Sequence, residues 1–319
     1  MQLNGGESSA DTGGKVTITS GEGSGAGSTS GEIRLQTANS GGSPGGVSGA
    51  IVLSTGDAGD GVSGAIYLAS GTASSSGGDI RVKVGAAAAD AGGDIELTAG
   101  QADGASTGSA TGGDIKVTSG SATSGSSGMI FISTADGGTR SAPTPGQAGG
   151  ITGAITLSTG DSTVGNSGAL AFHTGDAPET GTGGGITLTV GSGTNGNGGA
   201  VAVTAGSSSA AVGGTMTMTS GASSADDSGS ASFGSGTSVG GKGGDVAIFV
   251  GSGDSGLGGD VTIDAGVSSA SSKSGGKVVI TSGRGTDTGG SSSGEVHIHT
   301  ADSGGSPGGV SGAIVLSTG

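Results

Sequence analysis

The chain has 319 residues, of which 81 are glycine, 2% are aromatic and none is cysteine, and its net charge is −15. So little bulky apolar material excludes a large globular core, and the lack of cysteine excludes disulfides and thiolate metal sites. The negative charge argues against nucleic acid as a partner. No apolar run reaches the roughly 18–20 residues of a membrane helix, so we expect no membrane span.

A short block recurs nineteen times along the chain, in the order small–Gly–x–aliphatic–x–aliphatic–x–small–small–Gly. Its aliphatic residues are two positions apart, which is the period of a β-strand, and no segment has helical periodicity. Such recurrence is typical of repeat architectures. We call the second glycine of each block the marker glycine. The marker glycines are residues 14, 31, 49, 64, 78, 93, 113, 128, 153, 168, 184, 199, 214, 229, 244, 259, 276, 294 and 312.

The endings of the blocks repeat at a second level. Six-strand units start near residues 31 and 128, a four-strand unit starts near 229, and a partial unit starts near 294. Residues 304–319 also duplicate 41–56 letter for letter. We therefore expect one continuous repeat domain, 1–319, taken from a longer tandem array. Residues 1–6 do not have the pattern of a secretory signal, so secretion would require a signal outside this segment.

The fold predicted from these repeats is all-β. The shortened unit lacks two strands, as expected if each coil supplies one strand to each of two sheets. We predict a parallel β-solenoid, flattened into two sheets with about 30 residues per coil, in which the aliphatic pairs face inward and stack coil on coil. The alternative that the pattern leaves open is one strand per 15-residue coil.

Candidate ligand motifs are few. Glu295, His297 and His299 alternate along one predicted strand and are the only candidate metal ligands, although tetrahedral zinc would need further ligands from elsewhere. Residues 191–196 and 251–256 match the dinucleotide pattern G-x-G-x-x-G, but another strand follows each match where a helix is required. Residues 240–245 resemble the start of a calcium-binding nonapeptide repeat, which needs copies on consecutive turns. We therefore expect no cofactor and no catalytic residue, apart from diffuse association of Ca²⁺ with the acidic surface.

Polar residues are expected on the outward face of the strands. Asp79, Asp94 and Asp114 would stack as a column, with Arg81, Lys83 and Lys116 beside it to reduce their repulsion. Outward Thr-x-Thr pairs, such as Thr187/Thr189 and Thr217/Thr219, are similar to the ice-binding surface of antifreeze solenoids. None of the asparagines begins an N-glycosylation sequon, whereas serine and threonine in the turns allow O-linked sugars.

The alternation of SGAIVLSTG, GGDIELTAG, GGDIKVTSG and GGITLTVG blocks resembles the Gly/Ser/Thr-rich tandem repeats of very large extracellular proteins of diatoms and other microalgae. That resemblance implies a secreted fibre, wall, sheath or adhesive component and supplies no catalytic residues. The sequence therefore predicts a non-catalytic, extracellular fibre or filament subunit that associates with itself and with polysaccharide or O-glycans. The alternative is an adhesin stalk or a surface- or ice-binding solenoid.

Overall fold

A computed structural model describes residues 2–41, 45–88, 91–103, 110–138, 150–194, 196–304 and 309–318. By internal packing the chain divides into two units, Met1–Leu170 and Ala171–Gly319. Both units consist of the same alternation of apolar blocks and intervening loops, so the local structure is described once for both.

The described residues contain no α-helix and no β-strand. The predicted lack of helix is confirmed in this part of the chain. The predicted β-solenoid is wrong, both with two sheets and about 30 residues per coil and with one strand per 15 residues, because no sheet forms. The physical reason lies in the composition. Each block has only two aliphatic side chains on one side that a stack could bury, which is too little to offset the entropy lost when a glycine-rich backbone is ordered.

The side chains show the same absence of a core, since no residue of the described part is buried. The chain exposes 30372 Å² to solvent, whereas a compact protein of 28.5 kDa exposes roughly 11,000 Å². The expected inward aliphatic seam is therefore wrong as well. Ile95, Leu97, Ile186 and Leu188, which would form that seam, are 56–75% exposed.

What the chain does form is a closed loop between successive blocks. In eighteen repeats, a Cβ placed on the marker glycine would come within 4 Å of the penultimate residue of the preceding block, and in the first repeat a Cβ on Gly14 would meet Gly5 in the same way. Ten loops also have a backbone hydrogen bond across this point, in which the marker N–H donates to a glycine carbonyl eight to thirteen residues earlier. We call this point of closure the loop neck. Examples are Gly128 to Gly120 at 2.9 Å and Gly214 to Gly206 at 2.8 Å.

Glycine is required at those necks where the two chain segments approach too closely to admit a Cβ. No marker glycine has a positive φ, so the requirement is for space and not for a left-handed backbone. The tightest neck is at Gly14, where a Cβ would overlap the carbonyl oxygen of Gly5, and the next tightest are those that face a valine. A Cβ on Gly259 would lie 2.7 Å from Cγ1 of Val250, and one on Gly199 would overlap Cγ1 of Val190. Neck valines are accordingly the most covered large apolar side chains in the described part, the lowest being Val84 at 37% exposure.

Several loops share an internal turn. The Oγ of Ser8, Ser162, Ser208 and Ser223, each two residues after the glycine that ends a block, accepts a hydrogen bond from the backbone N–H three residues later. Serine hydroxyls commonly stabilise turns in this way. Positive φ among the described residues is confined to loop positions, such as Gly240 with φ 112° and Gly290 with φ 103°.

The structure contains no apolar helix long enough to cross a bilayer within the residues that it describes.

Candidate functional site

Four segments carry an acidic and a basic side chain two residues apart, separated by an aliphatic residue. We call residues 32–35, 79–82, 114–117 and 295–298 the charged segments. In each of them the acidic residue comes first and contacts the base. The pairs are Glu32 with Arg34 at 3.3 Å, Asp79 with Arg81, Asp114 with Lys116 at 3.2 Å, and Glu295 with His297 at 2.6 Å.

These contacts establish the local conformation of the charged segments. Side chains at positions i and i+2 meet on one side of an extended chain, whereas on a helix they do not face each other. The same spacing occurs in the hydrogen bond from Thr98 Oγ1 to Glu96 Oε1, at 3.3 Å. The charged segments are therefore extended and two-sided, with ions on one side and aliphatic residues on the other.

The aliphatic side of every block is open to solvent, with a consistent gradient of exposure along the block. Wherever both members of a pair are large apolar residues, the first is less exposed than the second, as in Ile80 and Val82. No other part of the described chain covers the second member to a comparable extent.

The backbone of the charged segments is unpaired too. Backbone hydrogen bonds among the described residues close necks or tight turns, and none involves residues 32–35, 79–82, 114–117 or 295–298. An extended chain with free N–H and C=O groups is equivalent to the edge of a sheet, where another chain can pair.

The expected column of Asp79, Asp94 and Asp114 does not form, because there is no sheet to stack them. Asp79 and Asp114 are instead neutralised within their own segments, by Arg81 and Lys116. Arg81 and Lys116 were expected beside the column, and each contacts the acid two positions before it in its own segment.

The structure places two of the three candidate metal ligands together. His297 Nε2 lies 2.6 Å from Glu295 Oε2, and both side chains are at least three-quarters exposed. His299 takes no part in this contact. No group of three or more His, Cys, Asp or Glu side chains in the described part is arranged to hold a metal ion. Glu295 and His297 thus form an exposed acid–base contact with the same spacing as in the other charged segments, and it is an ion pair only when His297 is protonated.

The remaining ligand motifs lie in loops. Lys242 Nζ contacts Asp245 Oδ2 at 2.9 Å, so the carboxylate of the single nonapeptide-like motif is already paired with a lysine. The G-x-G-x-x-G matches at 191–196 and 251–256 precede blocks, and no helix follows either of them in the described residues. Thr187, Thr189, Thr217 and Thr219 are exposed, but without a sheet they do not form a flat array.

Sequence reasoning missed the loop neck. The signal was present, because the marker glycine is invariant within this chain while the loop before it varies in length and composition. A solenoid pattern does not predict this contact, in which the marker glycine faces the end of the block immediately before it.

Comparisons with known protein families, with curated proteins and with solved structures find no match to this chain.

Proposed function

We propose that this chain is a non-catalytic subunit of an extracellular structural fibre or filament that forms when copies associate through their exposed blocks. The observation that carries the proposal is the regular aliphatic side of the blocks, none of which is buried within the described chain. Contiguous exposed apolar surface is characteristic of sites that associate with other molecules. A second copy has the same surface at the same spacing, so it is a matching partner.

The free backbone supports the same proposal. Extended segments without a ladder satisfy their N–H and C=O groups with water, and they can exchange this water for the backbone of another chain. Association would thus provide both the apolar cover and the backbone pairing that one chain does not supply to itself.

The net charge of −15 opposes this association, because copies repel one another. Salt screens such repulsion over about 10 Å at 0.1 M ionic strength. Association is therefore expected to strengthen with salt, and Ca²⁺ would act as a diffuse counter-ion without a defined site. Exposed loop serines and threonines leave room for O-linked glycans on the outside of an assembly.

Sedimentation velocity and electron microscopy of the purified chain test the proposal, over a range of protein concentration from low salt to 0.5 M NaCl. We expect filaments or large assemblies that increase with both variables. A test variant, Leu35→Ser with Leu97→Ser and Leu188→Ser, removes apolar surface without changing the net charge. We expect it to assemble less than the unmodified chain. A chain that stays monomeric under all these conditions would disprove the proposal.

A further inference from the structure

The four charged segments share a direction as well as a composition. The acidic residue always precedes the basic one: Glu32 before Arg34, Asp79 before Arg81, Asp114 before Lys116 and Glu295 before His297. An extended segment with this order has a negative end toward its N-terminus and a positive end toward its C-terminus. When two such segments pair, the order of the charges determines which relative orientation is attractive.

Consider an antiparallel pair centred on the aliphatic residue between the charges. The acid of each segment then lies opposite the base of the other, which gives two attractive contacts. For residues 79–82 this places Asp79 against Arg81 of the second copy and Ile80 against Ile80. Directly opposed side chains on one face are about 4.5–5.5 Å apart at Cβ, so both contacts are within the range of ion pairs. The aliphatic residues meet on the opposite face.

A parallel pair in register has the reverse result. Acid lies opposite acid and base opposite base, and like charges directly opposite each other are destabilising. A parallel pair staggered by two residues places Asp79 opposite Arg81, which is attractive. The same stagger places Arg81 opposite Lys83, which is repulsive. The antiparallel arrangement is thus the one that satisfies both charges of each segment.

We infer that the charged segments are contact sites between copies of this chain and that they pair in the antiparallel orientation. This inference rests on the proposed self-association and specifies which surface takes part and in which direction. The partner is a second copy of the same chain, because charge complementarity is complete when a segment meets its own sequence.

The test uses the full chain and an order-swapped variant in which each acid and base exchange places. The substitutions are Glu32→Arg and Arg34→Glu, Asp79→Arg and Arg81→Asp, Asp114→Lys and Lys116→Asp, and Glu295→His and His297→Glu. Composition, net charge and the spacing of the acid and base within each segment are unchanged. The chain has no cysteine, so Ser9→Cys introduces a single labelling position, and energy transfer between donor- and acceptor-labelled chains reports association.

Antiparallel pairing predicts that each chain associates equally well with itself, because the swapped order is also self-complementary. A mixture of the two chains places like charges opposite each other. Each such pair destabilises the contact by a small free energy, and several pairs act together, so we expect mixed association to be about tenfold weaker than self-association. The difference between self-association and mixed association should disappear in 1 M NaCl, where the screening length is about 3 Å.

Each other outcome overturns the inference in a recognisable way. Stronger association in the mixture than in either chain alone would mean parallel pairing. Mixed association equal to self-association would mean that the charged segments are not contact sites, while the proposed fibre could still form through other blocks. Absence of self-association in the unmodified chain would overturn the proposed function and this inference together.

Discussion

Residues 30–56 and 293–319 are two nearly identical regions in different parts of the chain, and their described residues have the same local structure. In both, a serine hydroxyl closes the loop by donating to a glycine carbonyl 2.9 Å away, Ser40 to Gly46 and Ser303 to Gly309. In both, a threonine methyl group faces the marker glycine, Thr37 opposite Gly49 and Thr300 opposite Gly312. The loop neck is therefore encoded by the residues that surround it and does not depend on position in the chain.

The regions differ in their charged segments. Residues 32–35 are Glu-Ile-Arg-Leu and residues 295–298 are Glu-Val-His-Ile. Both form an acid–base contact two residues apart, although the second is an ion pair only when His297 is protonated. The comparison shows that the backbone arrangement is common to the two regions while the strength of the charge contact is set by one side chain in each.

The largest expected effect comes from removing the aliphatic pair of either region. Ile51→Ser with Leu53→Ser, or Ile314→Ser with Leu316→Ser, removes apolar surface that association would bury, which contributes up to about 1.5–3 kcal/mol per fully buried side chain. We expect both double variants to raise the concentration required for assembly by similar factors, measured by light scattering. The controls are Val52→Ser and Val315→Ser, on the opposite side of the chain, with smaller expected effects. If only one region responded, the two would not be equivalent in the assembly.

Substitution of marker glycines should have the next largest effect and should separate tight necks from loose ones. A Cβ on Gly49 or Gly312 would lie 3.6 or 3.7 Å from the facing threonine methyl group, which is ordinary contact. Gly49→Ala and Gly312→Ala are therefore expected to be neutral or slightly stabilising, since alanine lowers the entropy of the open chain.

Gly199→Ala, by contrast, places its methyl group onto Val190 and should open that neck at a cost of about 1–3 kcal/mol, as for other overpacked sites. Amide hydrogen exchange at residue 199, whose N–H donates to Gly191, measures the opening. Gly229→Ala, in a neck with ordinary spacing, is the matched control. Equal exchange in the two variants would contradict the role of close approach.

A smaller effect is expected from the loop serines. Ser40→Ala and Ser303→Ala each remove one hydrogen bond, worth about 0.5–1.5 kcal/mol in general and nearer the lower limit at an exposed site. The two variants should loosen their loops equally, which nuclear magnetic resonance relaxation of the glycines at 46 and 309 can measure. A marked inequality would show that more distant parts of the chain contribute to one of the loops.

The smallest effect should follow from exchanging the bases, Arg34→His and His297→Arg. Exposed ion pairs contribute at most about 1 kcal/mol, so neither necks nor assembly should change much. The carboxyl carbon shift of Glu32 should acquire the response to added salt that Glu295 has in the unmodified chain, and the reverse should hold for Glu295. Unchanged responses would mean that the base does not determine the contact.

The sequence predicted some local features correctly and failed on the long-range structure. Alternation of side chains along the charged segments followed from the period of two, and Glu32 with Arg34 or Asp79 with Arg81 confirm it. The stacking of Ile95, Leu97 and their equivalents did not follow, because a period of two specifies which side of a chain is apolar but not what covers that side. The necks at Gly128 or Gly214 were also not predicted, since they depend on contact between the end of one block and the start of the next.

Local loop closure has a mechanical consequence. In a neck such as Gly221 to Gly229, one hydrogen bond of 2.9 Å holds together two points that are eight residues apart along the chain. When a pulling force breaks this hydrogen bond, the chain lengthens by about 20 Å, because each residue can reach about 3.3–3.6 Å. Successive necks can yield one after another, so a tether made of this chain would dissipate energy in small reversible steps and regain its length when the pull stops.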